Sequence, residues 1–162
     1  MTEIINKITS YNLFNYLLPG VLFAAILDKF TIYSLIPKDI IIGAFVYYFI
    51  GLVISRFGSL LVEPILKKIS FLKFADYADF ISASQKDPKI ELLSEENNMY
   101  RNFNAMFIIL VLMKFYEWIQ FIFPVLKNLN IYILIILLLV IFLCSYKKQT
   151  EYITKRVNKA NR

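Results

Sequence analysis

Three charged residues, Arg56, Lys114 and Glu117, lie within long apolar stretches of the chain. A charge placed in hydrocarbon is costly, so such residues commonly pair with one another or line an aqueous path through a membrane. Lys114 and Glu117 stand three residues apart, a spacing that places both side chains on one face of a helix. We therefore expect these two residues to pair, with Trp118 supplying a cation–π contact to Lys114.

Each of these charges has a plainer alternative explanation. Arg56 lies near the end of its apolar stretch, where a long side chain can reach lipid phosphate. In the alternative interpretation, Arg56 forms an ion pair with an acidic residue, and the candidates are Glu63, Glu95 and Glu96. A self-neutralised Lys114–Glu117 pair can face the interior of a helix bundle and serve packing alone. The functional alternative is that the pair lines a water-filled path between subunits.

Four apolar stretches are long enough to carry these charges into a membrane. The clearest is NLNIYILIILLLVIFLCSY at 128–146, which contains no charged residue. A helix rises about 1.5 Å per residue and a bilayer core is about 30 Å thick, so roughly 20 apolar residues cross it. The sequence predicts spans at 11–27, 40–62, 102–126 and 131–146, with Pro19-Gly20 bending the first span and a tight connection at 127–130.

The sequence therefore predicts an all-α integral membrane protein, with a single membrane domain over 1–162. A helical hairpin at 64–101 connects spans two and three, and a basic tail at 147–162 follows span four. Within the hairpin, Asp87 and Pro88 suit the start of a helix. That helix either ends near Leu93 or continues directly into span three.

Lysine and arginine are distributed unevenly between the two sides of these spans. The connections at 28–39 and 127–130 hold three of them and the other side holds fourteen, with Lys114 left inside. By the positive-inside rule, both termini and the hairpin should be cytoplasmic, in a bacterial inner membrane. The net charge of +6 follows from this topology, so we expect no direct binding to nucleic acid. The basic residues expected at the membrane surface are Lys67, Lys68, Lys73, Lys147, Lys148, Lys155 and Arg156.

Small residues recur at a spacing of four on two of the predicted spans. Gly20 and Ala24 lie on span one, and Gly51, Ser55 and Ser59 lie on span two. Such stripes let helices approach closely in lipid. They predict helix contacts, either within one chain or between several copies.

The residue types present argue against an enzyme. The chain has no histidine, which removes the commonest general base and the commonest metal ligand. Its one cysteine, Cys144, lies in the apolar run and cannot form an intrachain disulfide. No phosphate-binding glycine loop and no metal-ligand motif is present in the sequence. We therefore expect no catalytic residue, no metal and no cofactor.

The stretch from SRFGSLLVEPILKKI through FADYADFISASQKDPKIELLSEENNMYRNF resembles small bacterial membrane proteins found beside antiphage defence genes. Examples are the multi-spanning accessory proteins of type VI-B CRISPR nucleases and the membrane component of the Kiwa system. The similarity lies in size, four spans, charge distribution and the cytoplasmic hairpin. It implies an oligomeric protein that senses or perturbs the envelope during infection, with a cytosolic partner. The absence of histidine argues against a HEPN-like nuclease motif.

Two functions remain open from the sequence. In the first, a homo-oligomer forms or gates a membrane pore, or perturbs the envelope, with a path lined by Lys114, Glu117 and Arg56. Four spans are too few to enclose a path alone, so this function requires oligomerisation. In the second, the chain is a non-conducting anchor that recruits a cytosolic protein through the hairpin and the basic tail. A transporter subunit is less favoured, because no internal repeat is evident.

Overall fold

The computed structural model of the protein describes residues 11–160, and every regular element within them is a helix. Lys7 and Arg162, which enter the charge count above, lie outside the described residues. The helices are α1 (Leu13–Phe30), α2 (Ile40–Lys68), α3 (Tyr77–Lys86), α4 (Lys89–Ile122) and α5 (Leu126–Ala160). Of these, α1, α2, α4 and α5 are long and apolar enough to cross a membrane. The prediction of an all-α chain with four candidate spans is therefore confirmed.

Side-chain hydrogen bonds cap the end of α1 and the start of α2, on either side of their connection. The backbone N–H and the hydroxyl of Thr31 each donate to the Leu27 carbonyl at 2.9 Å, which ends α1. Asp39 begins α2 because its Oδ1 accepts from the N–H groups of Ile41 and Ile42, at 2.8 and 2.9 Å. These bonds satisfy backbone groups that a helix end leaves without partners.

Both α1 and α2 contain a π turn, and a proline follows each turn at the same distance. The π turns are Leu13–Leu17 and Gly58–Val62, and Pro19 and Pro64 come two residues after them. Proline has no N–H, so carbonyls in the preceding turn lose their usual donor. Before Pro19 the helix therefore changes its hydrogen-bond register, and the bend expected there stays a prediction.

The second helix extends past its predicted end at 62 and ends in a Schellman motif. The Phe71 N–H donates to the Leu66 carbonyl and the Ser70 N–H to the Lys67 carbonyl, each at 3.0 Å. Ser70 has φ 59, the left-handed conformation that this motif requires and that glycine adopts most readily. The chain therefore reverses direction sharply at Ser70.

The fourth helix runs without a break from Lys89 to Ile122. The Lys89 N–H donates to Asp87 Oδ1 at 2.9 Å, so the Asp87-Pro88 signal does mark a helix start. Of the two alternatives left open by the sequence, the structure has the helix that continues into span three.

The connection between the last two helices lies earlier than predicted. The expected loop at 127–130 is wrong, because α5 already begins at Leu126 and the turn lies at 123–125. Pro124 explains the shift, since proline cannot continue a helix and disfavours helical geometry in the residue before it. At its other end α5 continues through the predicted tail to Ala160.

The core lies between α1, α2 and α4, and α5 packs on the outside against α2. Only 6% of the most apolar window of α5 is buried, compared with 33% for α1. Phe49 of α2 stacks on Phe142 of α5, with ring centroids 6.0 Å apart. The buried apolar side chains of the core are Phe23, Leu27, Ile54, Val62, Ala105, Met106 and Leu110.

Candidate functional site

The π turn of α2 is the point where three helices exchange polar contacts. A π turn pairs each carbonyl with the N–H five residues later, as the Glu63 N–H bonds the Gly58 carbonyl. By the same five-residue spacing, the Ser59 carbonyl should accept from the backbone nitrogen of residue 64. Residue 64 is proline and has no N–H to donate. Lys148 of α5 supplies the missing donor, with Nζ 2.7 Å from the Ser59 carbonyl and 2.8 Å from Ser59 Oγ.

Glu63 is the buried carboxylate of this junction. Its Oε1 accepts from Lys67 Nζ at 2.9 Å and its Oε2 from Arg101 Nη1 at 3.0 Å, while its side chain is only 11% exposed. Gly58 lets Arg101 of α4 approach, because a Cβ at Gly58 would lie 3.3 Å from Arg101 Cγ and 3.2 Å from Ala105 Cβ. The alternative that paired Arg56 with Glu63, Glu95 or Glu96 is not found among residues 11–160, where Glu63 pairs with Lys67 and Arg101 instead.

Positive charge exceeds negative charge around the π turn. Lys67, Arg101 and Lys148 interact electrostatically with Glu63, and Arg56 interacts electrostatically with Lys148, so four cations and one carboxylate lie near the turn. Lys148 donates only to the uncharged oxygens of Ser59, and Arg56 forms no ion pair among residues 11–160. We refer to Arg56, Glu63, Lys67, Arg101 and Lys148 as the basic junction, and to the end of the bundle that carries it as the basic end.

A second proline lies beside an inter-helix hydrogen bond at α1, at a different spacing, because Pro19 follows Asn15 by four residues and Pro64 follows Ser59 by five. In an α-helix the Asn15 carbonyl would accept from the residue four positions on, which is Pro19. Asn102 of α4 replaces that donor, with Nδ2 2.8 Å from the Asn15 carbonyl, and both asparagines are buried. Asn102 Oδ1 accepts no hydrogen bond from the described residues. Side chains of α4 and α5 thus donate to backbone carbonyls of α1 and α2 close to both prolines.

Lys114 and Glu117 form the expected ion pair, with Nζ and Oε2 3.0 Å apart. The expected cation–π partner is wrong, because Lys114 Nζ lies 5.6 Å from the ring centroid of Phe30 and Trp118 instead packs on Phe115. The Lys114 side chain is 48% exposed. The pair is therefore satisfied locally and lies at the surface of the isolated chain.

A polar network that the sequence analysis missed closes the opposite end, which we call the loop end (31–39 and 123–125). Tyr33 donates its hydroxyl to Gln120 Oε1 at 2.5 Å, and both Gln120 Nε2 and the Tyr116 hydroxyl donate to Asn130 Oδ1, the latter at 2.8 Å. Burial, together with nearby Tyr116 and Glu117, raises the pKa of Tyr33, so its phenol stays a proton donor. The available signal was Tyr116 and Gln120 four residues apart on one face of an apolar helix.

The predicted small-residue contacts lie within one chain. A Cβ at Gly20 would lie 1.8 Å from the Tyr47 carbonyl oxygen, and a Cβ at Gly51 would lie 1.8 Å from the Tyr16 carbonyl oxygen. The backbones of α1 and α2 therefore touch at both glycines. Ala24 and Ser55 are buried, whereas Ser59 is partly exposed and accepts from Lys148.

The lysines and arginines predicted at the membrane surface lie on two segments at the basic end, 67–73 and 147–156. The first segment includes Lys67, whose Nζ also lies 4.0 Å from the ring centroid of Phe74. Exposed apolar side chains alternate with these lysines, namely Ile65, Ile69, Phe71 and Phe74. The exposed basic residues of the two segments are Lys67, Lys68, Lys73, Lys147, Lys155 and Arg156, and Lys148 is half-buried.

Among residues 11–160, no group of three or more His, Cys, Asp or Glu side chains could hold a metal ion. Apart from the Lys114–Glu117 pair within α4, the described polar clusters are ion pairs and hydrogen-bonded networks that join helices. Comparison of the chain with protein-family models, with curated proteins and with solved structures gave no match.

Proposed function

We propose that the protein is a multi-pass membrane anchor that presents a helical platform to a cytosolic partner protein. The membrane is a bacterial inner membrane, with both termini on the cytoplasmic side and lipid covering the apolar faces of the four long helices. The observation that carries the proposal is that two of these helices continue well beyond their apolar stretches. On this proposal the chain carries no catalytic residue.

The platform consists of α3, residues 89–101 of α4 and residues 147–160 of α5. The last of these parts adds 14 helical residues after the uncharged run at 128–146, or about 21 Å of helix. Helix α3 packs against α4 and its Ile81 is buried, while the centroid of its Tyr77 ring lies 5.6 Å from that of Tyr152 on α5. These contacts support a rigid surface that projects from the basic end.

Site-specific photo-crosslinking in native membranes tests the platform. A photoreactive residue at Val157 lies on the platform, and one at Leu134 is a matched control on the apolar part of the same helix. Both side chains are 50% exposed. We expect a discrete adduct with another protein from position 157 and none from position 134. An absence of any such adduct from position 157, in cells that make the protein at its native level, would contradict the proposal.

A pore-forming homo-oligomer is the second candidate function, as the sequence also suggested. It is favoured by the apolar face of α5, which is 6% buried and is free to contact a second copy. Against it, Gly20 and Gly51 contact backbone of the same chain, and Lys114 and Glu117 neutralise each other. An adduct of twice the chain mass from position 134, with ion flux in liposomes that is lost in Lys114→Gln/Glu117→Gln, would favour the pore. A role in antiphage defence stays a prediction for either function.

A further inference from the structure

We propose that the basic junction binds the phosphate of an anionic phospholipid, with Arg56 and Lys148 as the two residues that contact it. The site lies beside the π turn of α2, between α2 and α5. This inference rests on the membrane insertion in the proposed function but not on a cytosolic partner.

The charge balance of the junction calls for a further anion. Four cations and one carboxylate leave three positive charges in excess, and Glu63 already binds Lys67 and Arg101. Charges that are removed from water are stable only when they are paired or hydrogen-bonded by strong acceptors. The residues 11–160 offer no second carboxylate in contact with Arg56 or Lys148. An anion that pairs with Arg56 and Lys148 therefore has to come from outside residues 11–160.

The two cations that form no ion pair among residues 11–160 lie beside the same turn of α2. Arg56 precedes Ser59 by three residues, so the two lie on the same face of α2. Lys148 reaches that face from α5 and spends two of its three donors on Ser59. Lys148 therefore keeps one N–H, and Arg56 keeps a planar fork that matches phosphate oxygens in a bidentate manner.

The surroundings favour a lipid over free phosphate. Lys148 stands two residues after the uncharged run at 128–146, which is where a spanning helix would meet lipid headgroups. Both helices have large, exposed apolar side chains close in sequence to the junction. These are Leu61 on α2, and Leu143 and Tyr146 on α5. Acyl chains would cover these side chains, whereas an inorganic ion would leave them bare.

Native mass spectrometry of the full chain in a neutral detergent tests the site. The delipidated protein is titrated with phosphatidylglycerol, with phosphatidylcholine of the same chain length, and with inorganic phosphate. We expect phosphatidylglycerol to bind at least about tenfold more tightly than phosphatidylcholine, since only the former keeps a net negative charge. Arg56→Gln should weaken phosphatidylglycerol binding by about tenfold, the usual size of one charge-assisted hydrogen bond.

Two further variants keep the result interpretable. Arg56→Lys retains the charge but loses the bidentate fork, so its affinity for phosphatidylglycerol should lie between those of the unaltered chain and Arg56→Gln. Arg156→Gln removes the same charge from an exposed position on α5 and should change the affinity by less than about twofold, because electrostatic attraction there is screened by water. Equal losses in Arg56→Gln and Arg156→Gln would overturn the proposal, as would equal binding of the two lipids. Displacement of phosphatidylglycerol by millimolar inorganic phosphate would assign the site to free phosphate instead.

Discussion

Two prolines lie close to the backbone carbonyls that accept hydrogen bonds from side chains of other helices. Pro19 stands four residues after Asn15 and Pro64 five residues after Ser59, and each of these carbonyls accepts a hydrogen bond from a side chain of a later helix. A buried carbonyl without a donor costs about 1–3 kcal/mol, so these long-range bonds are required by local sequence. The same two contacts place Asn102 and Lys148 at fixed positions along α1 and α2.

A double-mutant cycle tests this dependence at α1. Asn102→Leu should lower the free energy of unfolding by about 1–3 kcal/mol, because it leaves the buried Asn15 carbonyl without a donor. In a Pro19→Ala background the backbone N–H is restored, so the same substitution should cost less than about 1 kcal/mol. Unfolding in mixed micelles with increasing denaturing detergent measures both values. Pro37→Ala, in the connection at 31–39, is the control background in which the cost should not change.

An equal cost of Asn102→Leu in the Pro19→Ala and Pro37→Ala backgrounds would mean that the Asn102 bond does not replace the donor missing at Pro19.

At this scale the sequence predicted local pairs well and distant ones poorly. The Lys114–Glu117 pair depends only on a spacing of three along one helix. The partners of Glu63 depend on how α4 packs against α2, and no spacing in the sequence contains that information.

The first two helices owe their close contact to glycine. Gly51→Ala should prevent folding or lower the free energy of unfolding by about 3 kcal/mol or more, because the new methyl group meets the Tyr16 carbonyl at 1.8 Å. Gly43→Ala on the same helix is the control. Its Cβ would meet only the Tyr47 ring, at 3.5 Å, so the change should be neutral or stabilise by up to about 1 kcal/mol.

The same mixed-micelle unfolding measurement compares the two alanine variants. If Gly51→Ala and Gly43→Ala were equally stable, α1 and α2 could not pack at the observed distance.

The sequence predicted the existence of the long helices from apolar length, but it did not predict their ends. Apolar length ends at Tyr146, whereas the Lys, Gln and Glu residues beyond it have high helix propensity and extend α5 to Ala160.

For the whole molecule, the distribution of charge separates two surfaces of different chemistry. The loop end carries a neutral hydrogen-bonded network, and the basic end carries the junction and the platform. Positive residues are retained on the cytoplasmic side of a membrane, so this asymmetry predicts one orientation for the four long helices of the proposed anchor. The platform can meet a cytosolic partner only if that orientation holds.

Single cysteines in a Cys144→Ser background test the orientation. Ser34→Cys places a thiol in the connection at 31–39, and Asn158→Cys places one on the platform; both positions are exposed. An impermeant maleimide should label the thiol at position 34 in intact spheroplasts and the thiol at position 158 only after permeabilisation. Labelling of both positions after permeabilisation controls for reactivity. The reverse pattern would place the platform outside the cell, where neither the cytosolic partner nor the positive-inside rule could apply, and the anchor proposal would have to be abandoned.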